Sequence, residues 1–114
     1  MLPEETPEWV EAQGSLQETE DHYEGESNEK GLPHGHGIME FANGDRYEGE
    51  WEDGFFHGHG IMEYAMGMRY EGEWKYDLKN GHGIMEYASG DRYEGEWEEG
   101  LHQGHGIMEF ANGG

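Results

Sequence analysis

The residues in this chain that could do chemistry are its 8 histidines and 27 carboxylates. His34 and His36 stand two positions apart, as do His57 and His59, with Glu and Asp close in sequence. Alternate positions on a strand share a face, so each pair could chelate a metal through its imidazoles. The series lapses at Asn80 and Gln103, as a position with a structural role allows, and no closed ligand set is visible. The plainer expectation is that His36, His59, His82 and His105 pack on tryptophans while the preceding histidine caps a loop. The carboxylates do not follow the looped Asp-x-Asp-x-Asp-Gly pattern of a calcium site. Paired acids could cleave a glycosidic bond, but here each acid recurs once per unit, whereas a catalytic pair is unique. There is no nucleophile motif and no phosphate loop. The expectation is a non-enzymatic chain with no metal and no cofactor.

The recurrence is the informative feature. Gly35 to Glu40 reads Gly-His-Gly-Ile-Met-Glu and returns at Gly58, Gly81 and Gly104, each 23 residues after the last. Between the copies lies Tyr-Glu-Gly-Glu, starting at Tyr23, Tyr47, Tyr70 and Tyr93. A period in this range marks a repeat architecture. Such repeats bind and scaffold more often than they catalyse.

Composition alone points elsewhere. Leu, Ile, Val and Phe total 14 of 114 residues and the formal net charge is −21, which reads as disorder. Yet 21 glycines, 7 tyrosines and 4 tryptophans are present, most of them at fixed places in the period, and disorder needs no fixed places. The chain therefore divides into an acidic leader over 1–21, disordered or ordered only by a partner, and a sheet of about four units over 22–114, the last incomplete. With no cysteine, disulfides are excluded. No signal peptide or long apolar run is visible, so an intracellular protein is expected. The charge disfavours nucleic acid and anionic lipid and favours a basic protein partner.

Each unit reads as a β-hairpin. Asn43-Gly44, Met66-Gly67, Ser89-Gly90 and Asn112-Gly113 separate strand-like runs, and Asn-Gly is a strong signal for a two-residue type I′ turn. A two-residue turn places Ile61 opposite Gly72 and His59 opposite Trp74. One face then carries Tyr, Gly, Trp, Ile and His, with Glu48, Glu71 and Glu94 in a like-charge row on the other. The expected partner-binding groove is Tyr47, Trp51, Tyr70, Trp74, Tyr93 and Trp97 with Ile38, Ile61, Ile84 and Ile107. The strand Gly106, Ile107, Met108, Glu109 and Phe110 is expected to form an open sheet edge that another chain or a second copy could extend.

The unit Tyr-Glu-Gly-Glu-Trp-x-x-Gly-x-x-His-Gly-His-Gly resembles the MORN repeat (membrane occupation and recognition nexus). Residues 47–60 match it throughout, while Asp77, Asn80 and Gln103 depart from it. The resemblance implies an all-β fold, a single-layer twisted antiparallel meander of hairpins with an aromatic-lined groove. It also implies roles in ciliary, cytoskeletal and membrane-junction scaffolds or beside lipid kinases and a lysine methyltransferase. The first unit, Tyr23 to Gly35, has one extra residue and no Trp. Behind an acidic leader, its Asn28-Glu29-Lys30-Gly31 variant resembles the opening of the MORN proteins of axonemal radial spoke heads. That likeness implies a structural scaffold in the axoneme of a cilium or flagellum. Its partners would be spoke-head subunits with basic or hydrophobic surfaces. A membrane-associated or enzyme-regulating adaptor is the alternative.

Overall fold

A computed structural model describes residues 20–111. Most of the leader, residues 1–19, and the last Asn-Gly at 112–113 lie outside the described residues. The described chain is all-β, without a helix. It has eight strands: β1 His22–Ser27, β2 Pro33–Glu40, β3 Arg46–Glu52, β4 Phe55–Glu63, β5 Arg69–Lys75, β6 Leu78–Glu86, β7 Arg92–Glu98 and β8 Leu101–Glu109. They follow one another in a single antiparallel sheet in sequence order. The molecule measures 63 × 38 × 17 Å. All eight strands belong to that one sheet, so among the described residues no second layer packs on it.

The register differs from the sequence expectation by one residue. Met62 pairs with Tyr70, Ile61 with Glu71, Gly60 with Gly72, and Gly58 with Trp74. The neighbouring units repeat this, with Met39 opposite Tyr47 and Met85 opposite Tyr93. The reason is loop length. Tyr64 N–H donates to Met68 O and Gly67 N–H to Tyr64 O, so Ala65, Met66 and Gly67 form a three-residue loop ending in a glycine at φ 101°, a type I turn followed by a bulge. One extra loop residue moves every partner along by one and changes which side chains share a face. The two-residue I′ turns lie at the opposite end of the sheet. Asp53-Gly54, Tyr76-Asp77 and Glu99-Gly100 each have both φ values positive, from 48° to 91°. Asp53-Gly54 carries the same kind of signal as Asn-Gly.

The aromatic face is therefore Tyr, Gly, Trp and Met. Tyr47, Tyr70, Tyr93, Trp51, Trp74, Trp97, Met62 and Met85 form the buried core. Each tyrosine ring lies flat across a cross-strand glycine pair: Tyr47 over Gly49 and Gly60, Tyr70 over Gly72 and Gly83, Tyr93 over Gly95 and Gly106. Its hydroxyl donates to the carbonyl three residues on, from Tyr47 to Glu50 O at 2.7 Å and from Tyr70 to Glu73 O at 3.0 Å. The indoles of Trp51, Trp74 and Trp97 stand edge-on to the rings and each donates to a glycine carbonyl, Trp74 Nε1 to Gly60 O at 3.1 Å.

Loops at the three-residue end are joined between units. Asp45 Oδ1 accepts from Ala65 N–H and Asp91 Oδ1 from Ala111 N–H, both at 2.8 Å. Asp21 does the same for Ala42 at 2.8 Å, which ties it to the first unit.

A methyl group at Gly60 would fall inside the ring and hydroxyl of Tyr47. Gly60→Ala should destabilise the sheet by about 1–3 kcal/mol, as an overpacked core does, read as the urea midpoint shift. An unchanged midpoint would show that the ring does not need the glycine pair.

Candidate functional site

Tyrosines and indoles interleave into one file. Tyr47 lies 5.1 Å from Trp51 and 5.6 Å from Trp74, both edge to face. Tyr70 repeats this with Trp74 at 5.0 Å and Trp97 at 5.3 Å. The file runs from Tyr23, 5.4 Å from Trp51, to Tyr93, 5.4 Å from Trp97. The six groove aromatics expected from the sequence thus come together, but they bury one another: Tyr47 and Tyr70 are 0% exposed and the three tryptophans 5%. Little of their surface is open to a partner.

The four isoleucines do not join them. The register puts Ile38, Ile61, Ile84 and Ile107 opposite Glu48, Glu71 and Glu94, on the acidic face. Met62 and Met85 take the place expected of isoleucine. Of the residues proposed as an open edge, Ile107 is 64% exposed, Met108 38% and Phe110 51%. Among the described residues, β8 pairs only with β7.

Sequence reasoning missed a third position on the aromatic face. Phe56, Lys79 and His102 recur every 23 residues and pair with the tryptophans across the sheet. Phe56 stacks on Tyr47 at 4.1 Å and His102 on Tyr93 at 3.8 Å. Lys79 puts its Nζ 5.3 Å from the Tyr70 ring, with Trp74 and Trp97 at 5.4 and 5.8 Å. A cation among three electron-rich faces is attracted to each. The partner position changes with it. Phe41 meets Phe56 edge to face, Tyr64 Oη accepts from Lys79 Nζ at 2.8 Å, and Tyr87 Oη is hydrogen-bonded to His102 Nε2 at 3.2 Å. A hydroxyl appears where the stacking residue is polar, and is absent where it is Phe. The signal was present at the 23-residue period but hidden by dissimilar residue types.

The histidines also sit elsewhere than expected. His59 Nε2 lies 3.6 Å from Glu71 and His82 Nε2 3.4 Å from Glu94, so they face carboxylates across the acidic face and not the indoles. His34 does cap a loop, its Nδ1 accepting from Asp53 N–H at 3.1 Å. The Glu row is bridged by arginines. Arg46 reaches Glu48 at 3.3 Å and Glu40 at 3.8 Å, and Arg69 reaches Glu71 and Glu63 at the same distances. Among the described residues no three His, Asp or Glu converge as a metal site.

Four consecutive segments, residues 23–46, 47–69, 70–92 and 93–114, match the family described as MORN repeat. The chain belongs to the MORN repeat family, whose repeats mark protein-interaction or membrane-binding modules. No curated protein matches the chain.

Burial raises the pKa of Tyr64 from 10.0 to about 12, with help from the charge of Asp45. Tyr47 and Tyr70 are raised further, first by burial and then by Glu50 and Glu73 respectively. Unfolded tyrosines ionise near 10.0, so above that pH the unfolded chain loses protons that the folded one keeps. Their contribution is complete below that value and lost as pH climbs through the folded pKa values. Lys79 works in the opposite sense, its pKa lowered by burial, so the penalty on its charged form fades as pH rises. Three tyrosines outweigh one lysine. In an alkaline titration, tyrosinate absorbance and loss of sheet circular dichroism should rise together above pH about 10. The titration uses a Tyr76→Phe variant, because the Tyr76 ring is exposed and reports nothing about the core; ionisation of Tyr47, Tyr64 or Tyr70 in an intact sheet would contradict the prediction.

Replacing Lys79 and Tyr64 by Phe together should rebuild the Phe56/Phe41 arrangement. A double-mutant cycle in urea should give a favourable coupling of about 1 kcal/mol; additive single effects would show that the two positions are independent.

Proposed function

We propose that this chain is a non-catalytic scaffold of a ciliary axoneme, seated in a radial spoke head and contacting basic or hydrophobic surfaces of neighbouring subunits. The observation that carries the scaffold reading is the regularity of the surface. Glu48, Glu71 and Glu94 form a row repeated from unit to unit on the acidic face, with Arg46, Arg69 and Arg92 each bridging one of them to a carboxylate of a neighbouring strand. A surface built of rows suits extended contact, whereas catalysis needs one position unlike the rest. The net charge of −21 favours a basic protein over an anionic bilayer.

The spoke-head placement is supported by the first unit. Its extra residue is accommodated by a loop organised around Asn28. The Asn28 side-chain oxygen accepts from Lys30 N–H at 2.9 Å and Leu32 N–H at 3.0 Å, while its amide donates to Asp53 at 2.9 Å. The Asn-Glu-x-Gly variant is thus a structured element, and it is the segment that carries the likeness to spoke-head MORN proteins.

The test is cross-linking mass spectrometry of the protein in its native source. A carboxylate-reactive reagent is suitable because Asp and Glu number 27 against 6 Lys and Arg. Cross-links to axonemal spoke subunits are expected. Cross-links to a kinase, a methyltransferase or membrane proteins would overturn the spoke-head placement.

A further inference from the structure

One row of side chains has no part in the aromatic core. Leu32, Phe55, Leu78 and Leu101 follow the end turns at a 23-residue spacing. They are 40%, 42%, 45% and 71% exposed. The register pairs Phe55 with Glu52, Leu78 with Lys75 and Leu101 with Glu98, which puts the row on the acidic face at the I′-turn end. Its backbone is fixed from unit to unit. Gly54 N–H donates to Pro33 O at 2.9 Å, Asp77 N–H to Phe56 O at 3.1 Å, and Gly100 N–H to Lys79 O at 3.0 Å. Phe55 is extended by the exposed ring of Tyr76, 5.7 Å away and edge on. Polar residues would serve the fold at this wet end, and a line of exposed apolar side chains marks an interaction surface.

We propose that this row docks an amphipathic helix of a partner protein, with an apolar residue at every seventh position and Lys or Arg beside it. The proposal rests on the scaffold reading above and gives it a surface. Equivalent residues lie two strands apart, about 9.6 Å. Seven residues of α-helix rise about 10.5 Å. Over three intervals the two repeats differ by about 3 Å, within the reach of side-chain rotamers. A polyproline segment also repeats at about 9.3 Å, but it docks between aromatic rings, and three of these four residues are leucine. Carboxylates flank the row, with Glu52 and Asp53 side chains 47% and 62% exposed. Beside Leu78 lies an open depression of about 370 Å³ lined by Lys75, Tyr76, Asn80, Glu98 and Glu99. Its apolar wall fits the stem of a Lys or Arg side chain and Glu98 and Glu99 fit the head, on the side away from the Lys75 ammonium that shares the lining.

The probe is a synthetic helical peptide of about 28 residues, four heptads, with Leu at every seventh position, Lys beside each Leu and Ala elsewhere. The control has the same composition with the leucines redistributed. Fluorescence anisotropy at physiological salt should show the patterned peptide binding at least about tenfold more tightly. Leu78→Asp and Leu101→Asp should each weaken it about tenfold, with the melting temperature unchanged because both side chains are exposed. If Leu78→Asp unfolds the chain, Leu101→Asp, at 71% exposure, decides alone. Equal affinities for the two peptides would reduce binding to charge and overturn the proposal. So would tighter binding of a polyproline peptide, or a dimer in sedimentation that Leu101→Asp dissociates. Spoke-subunit cross-links that persist unchanged in Leu101→Asp would remove this row as the contact while leaving the scaffold reading intact.

Discussion

A tyrosine ring lying flat on two glycines is the contact on which the rest of this structure depends. At Gly49 and Gly60 the strands present bare backbone, and the Tyr47 ring takes the space two side chains would have filled. The ring lies along the sheet instead of standing away from it. Indoles then stand between successive tyrosines, and the stacking residue closes over each ring. Edge-to-face pairs contribute about 0.5–1.5 kcal/mol each beyond the area they bury. Seven such rings in file give a core to a sheet with no second layer, in a chain with only 14 Leu, Ile, Val and Phe. Glycine inside a strand ordinarily weakens it; here its missing side chain is what lets the sheet supply its own cover.

The number of hairpins, their order and the antiparallel meander were legible because the period, the turn residues and the strand-like runs agree. Which residues share a face was not legible from the same signals. Asn43-Gly44 permits either a two-residue or a three-residue loop, and the choice moves the partner strand by one residue. The same three-residue loop forms where Met66 and Met68 replace Asn43 and Asp45; in the first unit Asn43 supports it by accepting from Asp45 N–H at 2.9 Å, and Asp45 then reaches the Ala65 N–H of the next unit. That second bond crosses 20 residues of sequence, so local turn chemistry alone could not reveal it. The aromatic members of the groove were legible by type, the isoleucines only by register, and so the isoleucines were misplaced.

The stacking position shows how much chemistry the period conceals. Phe56, Lys79 and His102 have no property in common except being able to lie over a tyrosine ring. Each brings its own partner in Phe41, Tyr64 or Tyr87. A purely apolar description of the core would place Lys79 at the surface. Its ammonium is instead held among aromatic faces, with one hydroxyl to accept its hydrogen bond, so the desolvation of the charge is offset locally.

Because every principal contact runs between one unit and the next, the energetics are close to one-dimensional. Within such an array, a change on the aromatic face disturbs its own unit and two neighbours, whereas a change on the acidic face or the end row disturbs little beyond itself. The two faces are consequently under different physical demands. The aromatic face is constrained by ring and glycine at each period, which leaves its composition little freedom. The exposed rows are constrained only in position, their spacing set by the strands beneath them. Recognition by this sheet is therefore a matter of which side chains occupy fixed, evenly spaced places, and the partner surface that fits best is one whose own repeat lies near 10 Å.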